Sequence, residues 1–162
     1  LALSSRYHAI TYIASDDYRI FTTIHKTHDS KQEIEKIIDE FDAATAAGFD
    51  LTSFNFHGIG TGVTGAAVGD TALQTELTTE YNPNSTRATG TQSQPTSDVY
   101  RTVGVNTLDS GILAITEAGV LSQAATGGGV LLDRFTFAAI NLVGANGDGL
   151  QTTVNLTMAS GG

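Results

Sequence analysis

The C-terminal stretch, residues 150–158, shows a nearly strict alternation of apolar and polar side chains. The two sets are Leu150, Thr152, Val154, Leu156 and Met158 on one side, and Gln151, Thr153, Asn155 and Thr157 on the other. Successive side chains of a β-strand point to opposite faces of a sheet, so this pattern predicts a strand with one face on a core. A strand of this kind requires a sheet to receive it.

Other short segments are rich in β-branched and aromatic residues and also favour strands. Residues 7–13 and 18–24 flank a turn-like sequence and predict a hairpin. Further strands are predicted at residues 51–56, 99–105, 111–116 and 130–140, and a brief helix at 68–77. Residues 81–98 predict a long exposed polar loop or a ragged sheet edge. Short strands with Gly, Asn and Asp turns, and no helices between them, predict a mainly β fold: an antiparallel β-sandwich or jelly-roll-like domain with one N-terminal amphipathic helix.

That helix is predicted from one segment of the first half. Its apolar residues recur at helical spacing and form a single stripe: Ile34, Ile37, Ile38 and Phe41. Ser30 and Glu33 have the spacing of a capping box, and Gly48 suits the position after a helix end. The stripe is narrow, so the helix requires a partner surface, from the hairpin, the second half of the chain or another subunit.

The composition changes near residue 50. Residues 1–50 hold all three Lys, two of the five Arg and nine of the seventeen acids, whereas residues 51–162 contain no Lys. This shift predicts two units. One is an N-terminal hairpin plus helix, residues 1–50, acting as an adaptor or clasp, and the other is a β-sandwich module, residues 51–162.

Charge and cysteine content exclude several classes of partner. The formal net charge is −9, which opposes a nucleic-acid interface, because such interfaces need clustered Lys and Arg. The chain has no Cys, so disulfides and thiolate metal sites are excluded. Its apolar runs are too short to span a bilayer. Neither nucleic acid nor a membrane is therefore expected as a partner.

Several motifs that could carry chemistry lack the context they need. Gly60, Gly62 and Gly65 form a GxGxxG pattern, but no βαβ unit follows, so the glycines are expected to allow tight turns rather than to bind a dinucleotide. The four His, including His57, are expected to be structural or solvated. Residues 146–149 lack the alternating acids and the closing Glu of a calcium loop and predict a tight hairpin turn.

No nucleophile–base arrangement and no purposeful pair of carboxylates is evident. We therefore assign no catalytic, cofactor-binding or metal-ligating residue and expect no enzymatic activity. Asp133 and Arg134 are neighbours in a predicted strand and face opposite ways. Each is expected to pair across strands or subunits.

The second half resembles small structural proteins of tailed-phage virions. The resemblance rests on an ordered series: HGIGTG at residues 57–62, GDTAL at 69–73 followed by Glu76 and Leu77, TEAGVL at 116–121, LLDRFTF at 131–137, and a closing alternating strand. In that family a G-x-G-T-G stretch precedes D-T-A-L-x-x-E, and an E-A-G-L turn precedes a strand with R-x-x-F. The resemblance covers residues 55–158 and implies structural roles only.

The resemblance implies a virion protein, assembled in the host cytoplasm, that associates with itself, in a trimer for example, and with other virion proteins. A capsid decoration (cement) protein that binds the major capsid protein is the leading expectation. A tail, baseplate or fibre component, and a host-surface binding module, are the alternatives; the absence of Trp counts against glycan stacking. The expected structural or interface residues are Ile34, Ile37, Ile38, Phe41, Gly60, Gly62, Asp70, Glu117, Gly119, Asp133 and Arg134.

Overall fold

The computed structural model describes residues 2–13, 19–26, 51–82 and 84–159. They form two antiparallel sheets that pack face to face, which confirms the predicted mainly β sandwich. The strands are β1 (Ala2–Ile13), β2 (Arg19–Lys26), β3 (Phe56–Gly60), β4 (Tyr81–Asn82), β5 (Ala88–Thr89), β6 (Thr91–Thr96), β7 (Val99–Leu108), β8 (Ile112–Leu121), β9 (Leu131–Val143) and β10 (Gly149–Ala159), with 3-10 helices at Leu51–Ser53 and Gly144–Asn146. The predicted amphipathic helix, with its stripe Ile34, Ile37, Ile38 and Phe41, lies outside the described residues.

The first sheet has the order β2-β1-β10-β7-β4, and β6 also pairs with β7. The predicted N-terminal hairpin is confirmed, because β1 and β2 pair antiparallel. Strand β1 also pairs with β10, so the hairpin belongs to the same sheet as the C-terminal strand. The boundary predicted near residue 50 falls between described ranges, and the division into two domains stays a prediction.

Strand β10 shows the alternation that the sequence predicts. Leu150, Thr152, Val154 and Leu156 are buried, and the residues between them are half-buried. Leu150 and Val154 are fully enclosed in the core, where burial of such a side chain contributes about 1.5–3 kcal/mol. The C-terminal strand is therefore central to the sandwich and not an appendage.

The second sheet has the order β5-β3-β8-β9 and supplies the other wall of the core. Its inward residues include Ile59, Ala118, Val120 and Phe135, all within one cluster of buried apolar side chains. The Tyr81 hydroxyl accepts a hydrogen bond from the Ile59 N–H (2.8 Å) and donates one to the Ile59 carbonyl (3.0 Å). The hydroxyl thus pairs the Ile59 backbone groups on the part of the β3 edge that lies beyond the end of β5. Burial raises the pKa of Tyr81.

Two local predictions in the stretch from residue 51 to residue 77 are wrong. The strand predicted at 51–56 is a 3-10 turn at Leu51–Ser53, closed by a hydrogen bond from the Phe54 N–H to the Leu51 carbonyl, and β3 begins only at Phe56. The helix predicted at 68–77 does not form. Backbone groups of this segment form hydrogen bonds with residues outside it: the Thr75 carbonyl accepts the Thr61 N–H, and the Leu77 N–H donates to the Ile59 carbonyl.

Two further predictions need correction. Of the two alternatives for residues 81–98, the free loop is wrong and the sheet edge is right, because the short polar strands β4, β5 and β6 pair with β7 and β3 at the margins of the sheets. Residues 146–149 do not form a hairpin turn, because β9 and β10 lie in different sheets. Gly147 has φ 71° and ends the 3-10 turn, and the Asp148 carboxylate accepts the Val143 N–H (2.9 Å), so the chain crosses between sheets here.

Candidate functional site

A loop of residues 61–80, called here the covering loop, lies on the outer face of the second sheet. Strand β3 points His57 and Ile59 into the core, so Gly58 and Gly60 face the other way, toward the loop. A Cβ on Gly60 would clash with the Thr75 carbonyl oxygen. Gly60 therefore leaves room for the backbone of the covering loop, and Gly58 leaves room for the Leu73 and Glu76 side chains. Gly60 does not serve the tight turn that the sequence suggested.

The carboxylate of Glu117 is the anchor of the covering loop. It is fully buried, and its Oε1 accepts the N–H groups of Gly62 (3.1 Å) and Thr75 (2.6 Å). Its Oε2 accepts the Gln74 N–H (2.9 Å) and the Arg134 Nε–H (2.7 Å). Burial by itself raises the pKa of Glu117, but the backbone donors and the guanidinium outweigh it and hold that pKa below its ordinary value.

Arg134 completes what we call the ion-pair cluster: Asp70, Glu117 and Arg134. Its Nε donates to Glu117 on the adjacent strand, so it pairs across strands as predicted. Its Nη1 donates to the Asp70 carboxylate (2.8 Å) and its Nη2 to the Thr64 carbonyl (2.9 Å). Burial opposes its charge, yet the two carboxylates raise the pKa of Arg134. One side chain thus fixes two distant points of the covering loop to β8 and β9.

A second buried ion pair fixes the loop between β8 and β9. Arg87 binds both carboxylate oxygens of Glu76, at 2.5 and 2.8 Å. Its Nη1 also donates to the carbonyls of Gln123 and Gly128, both at 2.9 Å. Only 1 % of the Arg87 side chain is exposed. The guanidinium therefore joins the covering loop to residues 122–130.

His57 links the two sheets through the core. Its Nδ1 lies 2.6 Å from the Thr152 hydroxyl and its Nε2 lies 2.9 Å from the Thr102 hydroxyl. Gly90 and Gly104 leave room for the ring, since a Cβ on either would fall within 2.6 Å of it or of Thr102. Burial lowers the pKa of His57 to about 4, so the ring is neutral at pH 7.

The residues singled out in the second half of the sequence converge. Gly60, Gly62, Asp70, Glu117 and Arg134 meet at the ion-pair cluster. Gly119 lies beside it, because it pairs with Arg134 across β8 and β9. A Cβ on Gly119 would stand 3.0 Å from a Leu73 methyl and 2.7 Å from the Asp133 carbonyl oxygen. Asp133 is buried on the neighbouring strand and points, by alternation, to the opposite face from Arg134.

Sequence reasoning missed the Glu76–Arg87 pair and the contacts of His57 with Thr102 and Thr152. The signal for the pair was the scarcity of cations, since only three Arg and no Lys occur after residue 50. In such a segment each Arg is a candidate for a specific partner. No local pattern pointed to the two threonines.

Chemically, the cluster is saturated. Each carboxylate oxygen of Glu117 accepts two hydrogen bonds, which occupies all four of its lone-pair positions. The side chain therefore holds the covering loop and offers no acceptor to solvent. In the described part of the chain, no group of three or more His, Asp or Glu is placed to hold a metal ion. The helices within the same ranges are too short to cross a bilayer.

Compared with protein-family models, with curated proteins and with solved structures, the chain matches none of them.

Proposed function

We propose that this chain is a non-enzymatic structural protein of a tailed-phage virion, and within that class a capsid decoration (cement) protein. It stabilises the shell by association with its own copies and with the major capsid protein. The assignment to phage rests on the ordered motifs of residues 57–137. The geometry adds support for a structural role.

The observation that carries the structural role is the fixed, uncharged surface that residues 63–72 of the covering loop present. Of its three acids, Asp70 and Glu76 are bound by buried guanidinium groups, and Glu80, at the end of the loop, accepts the N–H groups of Thr78 and Thr79. Between residues 63 and 72 the exposed residues are Val63, Thr64, Gly65, Ala67, Val68, Gly69, Thr71 and Ala72, none of them charged. Interface cores are depleted in charged residues, and a surface that is rigid before binding loses little conformational entropy on contact.

The distribution of cations supports the same proposal. Of the three Arg in the second half, Arg87 and Arg134 are buried in loop-fixing pairs, and Arg101 binds Asn155 across the sheet (2.8 Å). Two of the three cations in this part of the chain thus fix loops. Ordinary solvated lysines, which oppose burial at an interface, do not occur there.

The test is particle stability. Phage particles that lack this chain should assemble but lose DNA at lower temperature than wild-type particles, and purified protein added back should restore the wild-type value. Unchanged stability, with the protein absent from wild-type particles, would refute the virion role. Normal heads together with defective adsorption or tails would instead favour the tail, baseplate, fibre or receptor-binding alternatives.

A further inference from the structure

The N-terminal hairpin, β1 and β2, joins the rest of its sheet through a single strand pair. Strand β1 pairs antiparallel with β10 from Ala2 to Ile13, along the whole length of both strands. Among the described strands β2 pairs with β1 alone, so the backbone pairing of the hairpin to the sheet is that of β1 with β10. The hairpin is therefore a separable unit, and the edge of β10 is the place that receives it.

Residues 27–50, called here the connection, link the hairpin to the rest of the chain. Lys26, the last residue of β2, lies in one row of the sheet with Tyr100 of β7, three strands away, which is about 14 Å. The Tyr100 hydroxyl donates to the Phe54 carbonyl (2.8 Å), close to Leu51, where the connection ends. A coil of the same number of residues has an average reach of about 27 Å and a maximum of about 80 Å. The length of the connection therefore allows the hairpin to bind β10 of its own copy or of a neighbouring one.

Formal charge favours contact between the hairpin and the rest of the sandwich. Residues 1–26 contain three cations and two acids, a net charge of +1, whereas residues 51–162 contain three Arg and eight acids, a net charge of −5. The remaining −5 lies in the connection, which has two Lys and seven acids. Two whole copies repel one another, but the hairpin of each is attracted to the sandwich of the other. The hairpin is thus the part of the chain whose charge suits it to bind a second copy.

We propose that the hairpin of one copy pairs with β10 of a second copy, so that neighbouring copies are joined by exchanged hairpins. The chain itself selects the occupant, because the register of β1 on β10 shows that this hairpin fits this edge. Exchange of an identical element requires no additional contact surface and is a low-cost route to association. The inference rests on the proposed function and assigns its self-association to one contact.

Local concentration decides between pairing within one copy and pairing between copies, because the two arrangements share the same β1–β10 contact. Within one chain, the connection holds the hairpin near its own β10 at an effective concentration on the order of 1 mM. The closed arrangement therefore prevails in dilute solution. Copies held side by side on a shell present their β10 edges to one another at a comparable concentration, so exchange competes there and links neighbours.

The experiment is disulfide cross-linking between single-cysteine variants of the full chain, which has no Cys of its own. Thr11 lies opposite Gln151 in the β1–β10 pair, and Val105 lies opposite Gln151 in the β10–β7 pair. Opposite residues of antiparallel strands have Cα atoms about 4.5–5.5 Å apart, which suits a disulfide. Thr11→Cys is mixed with Gln151→Cys over a concentration series and then oxidised. Val105→Cys mixed with Gln151→Cys is the matched control: β7 and β10 both lie outside the exchanged hairpin, so its yield measures random collision.

The mixture with Thr11→Cys should give a cross-linked heterodimer whose share rises with protein concentration and approaches its maximum near about 1 mM, while the control stays near zero. A double variant, Thr11→Cys with Gln151→Cys, should form its disulfide within one chain in dilute solution. Equal yields in the two mixtures at every concentration, with the double variant closed internally, would overturn the exchange. A double variant that forms no disulfide would overturn the β1–β10 register on which the exchange rests.

Phage particles that lack the chain, to which Thr11→Cys and Gln151→Cys are added together, separate this inference from the proposed function. Cross-linked chain on the particles supports both. Abundant chain on the particles without cross-links overturns the exchange of hairpins and leaves the proposed function standing. Particles that take up no chain, with cross-links formed in solution, overturn the proposed function and leave the exchange standing.

Discussion

Replacing Glu117 with glutamine removes the charge at the centre of the ion-pair cluster and keeps the size of the side chain. Each carboxylate oxygen accepts two donors, so whichever way the amide is placed, its NH₂ group faces two of them. A buried donor without a partner costs about 1–3 kcal/mol, and loss of one member of a buried ion pair about 3–5 kcal/mol. We expect Glu117→Gln to lower the free energy of unfolding by about 3–5 kcal/mol.

The assay is urea unfolding at neutral pH, with the slope on denaturant checked for constancy. Glu80→Gln is the matched control. Glu80 also accepts two backbone N–H groups, from Thr78 and Thr79 (2.9 and 3.0 Å), but at a hydrogen-bonding site exposed to solvent, where water can replace the lost acceptor. Its loss should stay below about 1 kcal/mol. Equal losses in the two variants, or a loss below about 1 kcal/mol in Glu117→Gln, would refute the anchoring role.

Three further substitutions or conditions test other parts of the structure. Gly60→Ala should cost about 1–3 kcal/mol of unfolding free energy because its Cβ meets the Thr75 carbonyl, whereas Gly65→Ala, with open space around it, should stay within about 0.5 kcal/mol. Similar melting of both variants would contradict the close approach of the covering loop to Gly60. The free energy of unfolding should fall by up to about 3 kcal/mol as pH drops from 6.5 to about 4, because His57 is protonated at higher pH in the unfolded chain than in the folded chain. His57→Gln should lose this part of the pH dependence. Parallel stability–pH curves for the two proteins would contradict the lowered pKa of His57. Arg87→Met should cost about 3–5 kcal/mol and speed proteolysis within residues 122–130, and a cleavage rate equal to wild type would show that the guanidinium does not hold that loop.

The strands that sequence alone predicted well are those whose signal is local. The period-2 pattern of β10 and the β-rich segments around the N-terminal turn depend on neighbouring residues, and both appear as expected. The covering loop shows the opposite case. Leu73 and Leu77 have helical spacing after Asp70, but the Asp70 carboxylate binds Arg134, 64 residues away, and the Gln74 N–H binds Glu117, 43 residues away. Long-range acceptors outweighed local propensity.

The candidate site was predictable in part for the same reason. The resemblance singled out Asp70, Glu117 and Arg134 individually, but their mutual contacts depend on a loop path that no local pattern encodes. The GxGxxG pattern was identified and its role was misjudged, since Gly60 and Gly62 make room for a carboxylate from a strand more than 50 residues later.

Membership of this chain in a phage particle, as a structural component, is tested most directly by quantitative mass spectrometry of purified virions. We predict the chain at hundreds of copies per particle, in fixed ratio to the major capsid protein. A few to tens of copies would move it to the tail. Purified particles free of the chain, with the protein recovered only from the soluble fraction of infected cells, would contradict the virion role.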